Sequence, residues 1–287
     1  MTFRLRVTLV CMNKNFFLIF LMLFCILMPG MGEAFVPQAP HLLYLVISKI
    51  KQPVGIEAFQ IKNISGYQDR GNEYIEIKEK LMYVSPNRIR IQIISEPMTS
   101  FSVESDFRFV KVKDGFIISH DKSPVDMYTD ILFYRDYKSL LNQFNPAGID
   151  TDKVSLQRYN DGICYVIGRS LEKGKPFAGL WIEKDTFLPI RYVVEKNGMM
   201  VEFLYHNWQK FSKTWYPMQV SILLDNQLFA KIDVKSVALK SGFSASLFDI
   251  GHIEQLYPKN NSDSPDENSK QFDELGRQME EFKKLYK

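Results

Sequence analysis

From residue 56 onward, apolar and polar residues alternate in short runs separated by turn residues, the period of half-buried β-strands. The pattern predicts strands over 56–67, 73–84, 88–95, 101–105 and 107–113, with 116–119 following the Asp114-Gly115 turn. It resumes over 154–159, 163–169, 177–183, 188–196, 199–208, 215–224 and 228–238. Two segments follow the helical period instead. Pro40 to Lys51 places Leu42, Leu43, Leu45, Val46 and Ile50 on one side. In 125–143, Met127, Ile131, Leu132, Tyr137, Leu140 and Leu141 recur at helical intervals after a Ser123-Pro124 start signal. The chain reads as mostly antiparallel β with two or three helices and no internal repeat.

Two hairpins allow their register to be worked out. Asn197-Gly198 is a strong two-residue turn signal, because both residues tolerate positive φ. Folding there pairs Val194 with Val201, Tyr192 with Phe203 and Ile190 with Tyr205 on one face. Arg191, Glu195, Met200 and Glu202 share the other face with Val193 and Leu204. In the next hairpin a three-residue loop, Asp225-Asn226-Gln227, sets Leu224 against Leu228, Ile222 against Ala230, Val220 against Ile232 and Met218 against Val234. A two-residue loop mixes the faces and is rejected on that ground. Four successive strands then present one continuous apolar face. Either the two helices close it as an ordinary core, or it walls a cavity for acyl chains; the small amount of helix favours the cavity.

Composition adds boundaries. The chain has 287 residues, 46% of them hydrophobic and 24% charged, enough for a large core and incompatible with intrinsic disorder. A net charge of +3 gives no reason to expect nucleic acid as a partner. Phe16 to Met28 is an uncharged apolar run preceded by Arg4, Arg6 and Lys14 and followed by Pro29-Gly30. Gly32 and Ala34 then suit a signal-peptidase site, so residues 1–34 read as an export signal cleaved after Ala34, the alternative being an uncleaved anchor, with Met12 an alternative start. Cleavage leaves Cys164 as the single cysteine and lowers the net charge to +1, since three basic residues and Glu33 depart. No intramolecular disulfide is then expected, and Cys164, within an apolar strand, reads as a small buried hydrophobe.

The sequence carries no recognisable catalytic or metal-binding pattern. His41, His120, His206 and His252 are not spaced for zinc, and neither a GxSxG elbow nor a P-loop occurs. No enzymatic activity, metal or cofactor is expected. Asp126 and Asp130, four residues apart, read as one solvated helix face. Arg88 and Arg90 alternate with Ile89, Ile91 and Ile93, which places the isoleucines inside and the arginines in solvent. His206 reads as a solvated outer-face residue, and Trp181, Trp208 and Trp215 as packing between sheet and helix rather than rimming a cavity mouth. Pro258 to Ser264 reads as a polar linker. The helix after it carries Phe272, Leu275, Met279, Phe282 and Tyr286 on one seam and is expected to dock on its own domain.

Several segments, in order, resemble the periplasmic outer-membrane lipoprotein carriers of the LolA and LolB type. Gly66-Tyr67 begins a strand resembling the family's early strand, and Tyr83 to Gln92 (YVSPNRIRIQ) resembles its Pro-led turn entering an Arg-containing strand. Phe109 to Ile117 (FVKVKDGFI) resembles its Asp-Gly hairpin, and Leu180 to Arg191 (LWIEKDTFLPIR) its Pro-containing strand pair. Trp215-Tyr-Pro217, Ser236 to Lys240 and Leu247-Phe248 resemble its closing strands. Ser85 stands where the carriers have a basic residue ahead of the proline, so the release mechanism tied to that residue is not carried over.

The resemblance implies a curved antiparallel incomplete barrel of about eleven strands, covered by two or three helices, over 35–257, with the C-terminal segment 258–287 appended. It also implies a periplasmic carrier that shields acyl chains of a lipoprotein or lipid on their way toward the outer membrane. The alternative is a lipid-sensing adaptor of the same fold acting on a membrane protein. A membrane-protein donor or acceptor and a monomeric state go with the first reading. The face expected to hold acyl chains comprises Ile89, Ile91, Ile93, Ile190, Tyr192, Val194, Val201, Phe203, Tyr205, Met218, Val220, Ile222, Ala230 and Ile232, with 125–143 as its lid.

Overall fold

The computed structural model describes residues 36–50, 55–69, 72–94, 100–134, 136–169, 176–196 and 198–259. The export signal and the C-terminal helix read from the sequence lie outside the described residues. One antiparallel sheet of thirteen strands forms the body, rather than about eleven. Its strands are β1 (Gly55–Asp69), β2 (Asn72–Val84), β3 (Arg88–Ile93), β4 (Ser100–Ser105), β5 (Arg108–Lys113) and β6 (Phe116–Ser119), then β7 (Val154–Tyr159), β8 (Gly162–Gly168) and β9 (Gly179–Glu183). β10 (Pro189–Lys196), β11 (Met199–Phe211), β12 (Thr214–Leu224) and β13 (Gln227–Leu239) complete it. Each predicted strand is present; the excess over eleven is the full set of short strands counted separately.

The strand order is β6-β5-β4-β3-β2-β1-β13-β12-β11-β10-β9-β8-β7. The first and last strands meet in the middle, β1 pairing with β13, and the barrel stays open between β6 and β7. Those two edges are consecutive in the chain. The connection between them, 120–153, therefore has to run from one edge of the open sheet to the other, which carries it across the inner face. Helix α1 (Ala39–Ile50) enters the same space from the N-terminal side, burying Leu42, Leu43, Val46 and Ile50.

The predicted single helix over 125–143 is broken. A 3-10 turn, Pro124–Asp126, leads into α2 (Tyr128–Phe133). Tyr134 then leaves the helix with ψ 127°, and α3 (Tyr137–Phe144) starts at Asp136, whose carboxylate accepts from the Ser139 N–H. This side-chain cap offers the backbone a new start, and helical period alone does not register it.

The outer face carries two smaller apolar clusters. Met82, Phe101, Val103, Val110 and Val112 are covered by Phe248 and by Ile250 and Ile253 of α4 (Ile250–Leu256), a helix the period did not reveal. Past α4 the chain reaches the β6 edge, where the Ile117 N–H donates to the Pro258 carbonyl at 2.9 Å. Arg90 is not solvated: it is buried here, its guanidinium 3.7 Å from the Phe101 ring centre and donating to the Leu247 carbonyl at 3.2 Å. Cys164, as expected, is a buried free thiol, in the second cluster with Val166, Trp181 and Val193.

Candidate functional site

The two sides of the inner face differ in chemistry. On the β10–β13 side, alternation turns one side chain in two inward, and these are apolar. The hairpin at Gly198 has the expected register, Val194 opposite Val201 and Tyr192 opposite Phe203, and all four are buried in the main core. Tyr205, Val220, Ile222, Ala230 and Ile232 join them, with Met218 partly buried beside them. Ile89 and Ile91 belong to the same core from β3, while Ile93 is half-buried near the end of its strand.

Ile190 departs from this face and packs with the outer cluster around Cys164. The register between β9 and β10 slips between Pro189 and Arg191, which makes Ile190 a bulged residue and turns its side chain over. The next hairpin turns on two residues, Asp225 and Asn226, both at positive φ, so Leu224 faces Gln227 and Leu223 faces Leu228. A bulge at Phe229 then restores Ile222 opposite Ala230 and Val220 opposite Ile232. The inner pairs Ile222–Ala230 and Val220–Ile232 are as expected; the three-residue loop and the Leu224–Leu228 pair are not.

The chain's own helices cover this apolar half. Ile131, Leu132 and Phe133 of α2 are buried, with Phe133 stacked on Tyr83 at 4.8 Å and 6.3 Å from Tyr216. Tyr128 approaches Phe203 at 6.5 Å, and Phe144 of α3 approaches Tyr192 at 6.0 Å. Aromatic contacts of this kind add about 0.5–1.5 kcal/mol each beyond area burial. The Tyr192 hydroxyl is buried beneath them with no hydrogen-bond partner, a group that costs about 1–3 kcal/mol to leave unmatched.

The β1–β5 half carries buried charge. Gln60 donates to Glu79 at 2.7 Å and to the Tyr128 hydroxyl at 3.1 Å, and Lys62 pairs with Asp126 at 3.5 Å. Lys122 donates to Glu104 at 2.6 Å, to Thr129 at 2.9 Å and to Asp130. The Tyr134 hydroxyl donates to the other Glu104 oxygen at 2.6 Å. At the tip of the β4–β5 turn, Phe107 stacks on Tyr134 at 5.7 Å. Asp126 and Asp130 are thus not a solvated helix face. Asp130 is 3% exposed, and both carboxylates point down from the 3-10 turn and α2 onto lysines held by the sheet and by the connection ahead of that turn. The void beside them, walled by Ile91, Glu104, Phe109 and Asp126 among others, is about 10 Å³, no larger than a single water requires.

Burial and charge act against each other here. Burial pulls Lys62 and Lys122 down, but Asp126 and Glu79 outweigh it for the first and Asp130 and Glu104 for the second, so both lysines hold their protons more tightly than usual. Burial pushes Asp126 up, yet Lys62, Lys111 and Lys122 together hold it below its ordinary value. Asp130 goes the other way: burial, with the charge of Glu104 added, lifts it to about 6 against the pull of Lys122.

A raised folded-state carboxyl favours the folded chain in acid, and that contribution is lost as pH rises through about 6. The thermal midpoint is therefore expected to rise when pH is lowered from about 7.5 to about 5, and Asp130→Asn to flatten the rise. Asp126 has the opposite sign, so its pairing is lost only in stronger acid. A midpoint that falls over that window, or an unchanged slope in Asp130→Asn, would contradict the assignment.

Elsewhere, Trp208 and Trp215 pack against the main core and Trp181 within the outer cluster, where the Arg191 guanidinium lies 4.3 Å from its ring centre. His206 is exposed on the outer face. A groove of about 530 Å³ opens between the β4–β5 turn and residues 245–252. Arg108, in its wall, is engaged with Glu254 at 2.9 Å.

The sequence signal for the charged half was present. Gln60, Lys62 and Glu79 stand at positions where strand parity, continued from Ile56, Ala58, Leu81 and Tyr83, calls for inward apolar residues. A charged residue at core parity is the mark of a buried polar site, although polar strand residues ordinarily point outward.

No protein-family model matches the sequence, and no curated protein matches it. Solved structures do. A domain from Vibrio parahaemolyticus, named for outer membrane lipoprotein sorting, superposes with a TM-score of 0.54 at 9% identity, covering 75% of this chain and 97% of that one. A LolA superfamily protein from Nitrosomonas europaea gives 0.50 at 10% identity, with 74% and 97% covered. A DUF1329 family protein from Desulfovibrio piger gives 0.50 at 16% identity, with 75% and 98% covered. The chain has the LolA-like fold, in a divergent sequence.

Proposed function

We propose that this chain is a periplasmic carrier that binds the acyl chains of a lipoprotein or lipid on its inner face and passes them toward the outer membrane. The observation that carries this reading is the lid. Residues 124–144 lie over an apolar face wide enough to need cover, yet they join the two free edges of the sheet rather than being woven into it. Such a segment can swing out and leave β1–β13 intact. Acyl chains would replace Ile131, Leu132 and Phe133, each buried methylene contributing about 0.8 kcal/mol. Once the lid lifts, the unmatched Tyr192 hydroxyl is available to a polar group at the head of the chain.

The fold shared with a LolA superfamily protein and with a domain named for lipoprotein sorting supports the same reading. The export signal expected from the sequence over residues 1–34 supports the periplasmic assignment. Among the described residues, no helix is long and apolar enough to cross a membrane. Transfer would require a membrane-bound donor and an acceptor, with the carrier acting as a monomer.

Native mass spectrometry of the protein, purified from an envelope fraction without detergent, tests this directly. A bound acyl species near one-to-one, or uptake of added lipid at that ratio, is the expected result. Protein that is repeatedly lipid-free and takes up none would leave the lid as ordinary core and end the carrier reading.

A further inference from the structure

The lid holds down the apolar half of the inner face with hydrocarbon and the charged half with carboxylates. Its two aspartates are the groups that meet the lysines beneath: Asp126 sits 3.5 Å from Lys62, and Asp130 on Lys122. Lys111 adds its charge to the field at Asp126. When the lid lifts, Lys122 keeps Glu104 on β4 and Gln60 keeps Glu79 on β2, but both lid carboxylates depart. Around this site Lys62, Lys111 and Lys122 then face Glu79 and Glu104, a local excess of one positive charge among the described residues next to the apolar wall.

Water solvates these lysines while the lid is open, but a ligand that takes the lid's place dries them again, and a buried cation without a counter-charge is costly, so that ligand has to bring an anion. We infer that the ligand of the inner face is a lipid with an anionic, phosphate-type headgroup, and that Asp126 and Asp130 occupy the headgroup position while the protein is empty. The headgroup seats over Lys62 and Lys122, and the acyl chains run toward Tyr192, Phe203 and Val220. Opening then exchanges one set of carboxylate–lysine pairs for phosphate–lysine pairs, with little net change in buried charge. This inference rests on the carrier reading and narrows it to a class of ligand.

Titration of the mature protein with three probes of equal chain length tests it: a lysophosphatidylglycerol, a lysophosphatidylcholine and a monoacylglycerol. Glycerol 3-phosphate serves as the headgroup without a chain. The anionic lipid is expected to bind at least about tenfold more tightly than the other two, with glycerol 3-phosphate far weaker. Asp126→Asn/Asp130→Asn is expected to tighten the anionic lipid several-fold by removing its internal competitor.

Lys62→Met is expected to reduce the preference for the anionic lipid. If that variant folds poorly, Lys62→Met/Asp126→Asn removes both charges of the pair and gives the same readout. Equal binding of all three lipids would overturn the inference and leave the carrier reading standing. Glycerol 3-phosphate binding as tightly as the lipid would replace the headgroup with a free-phosphate site. Binding of none of the lipids would end both.

Discussion

Phe133→Ala is expected to lower the stability of the empty protein and, at the same time, to raise its affinity for an acyl ligand. Phe133 is fully buried on the lid, stacked against Tyr83 and tilted against Tyr216. Truncating such a ring costs about 3–5 kcal/mol through lost burial and the cavity left behind. In an ordinary core that cost is all there is, and a weaker core binds nothing better. In a carrier the cost falls on the closed state alone, because the open state has already withdrawn Phe133 from the sheet. Apparent affinity scales with the fraction of molecules that are open, so about 3 kcal/mol taken from the closed state raises affinity by up to about 100-fold.

The two measurements are a thermal melt followed by circular dichroism and a titration with a fluorescent fatty acid. The opposite directions are what discriminate. Adding Leu132→Ala to Phe133→Ala should then cost less than Leu132→Ala alone, since the lid is already displaced. Parallel losses of stability and affinity, with additive costs, would show that α2 is core and not lid.

The hairpins show how far the sequence could be read, and where reading stopped. Alternation around Asn197-Gly198 suffices for the pairing of Tyr192 with Phe203, because a strong turn and a two-sided strand leave one register. At Asp225-Asn226 the same alternation gives the Ile222–Ala230 and Val220–Ile232 pairs but through the wrong turn, and misplaces Leu224. A three-residue loop and a two-residue turn followed by a bulge offset the strands equally beyond Phe229, and hydrophobic pattern constrains only that sum. The bulge at Ile190 is hidden for the same reason, since an inserted residue of apolar character fits either face. The pairing in the charged half of the site has no local signature. Aspartates spaced by four on a helix are ordinarily solvated, and only the lysines at inward positions on β1 and ahead of the lid explain why Asp126 and Asp130 are not. Such partners come from strands and connections far apart in sequence, so no local pattern brings them together.

Lys122→Met should be the most damaging single substitution in the lid's attachment at neutral pH. The ammonium is the shared partner of Glu104 and Asp130, both buried, and it also holds Thr129. Removing it leaves two carboxylates facing each other beneath the lid, a situation that costs about 3–5 kcal/mol when a buried pair loses one member. Replacing all three groups, as Lys122→Met/Glu104→Gln/Asp130→Asn, is expected to recover most of that loss, because no charge is then stranded. Acid should do the same for the single variant. With the lysine gone, Asp130 loses the pull that restrains its rise and holds its proton to still higher pH, so the variant gains more stability than wild type as pH falls, and its deficit narrows between about pH 7.5 and about pH 5. A deficit that is independent of pH and survives in the triple variant would assign Lys122 to packing by its methylene stem. A deficit that disappears in both tests identifies the lysine's charge as the fastening between lid and sheet, which is where a ligand bringing its own anion would have to act.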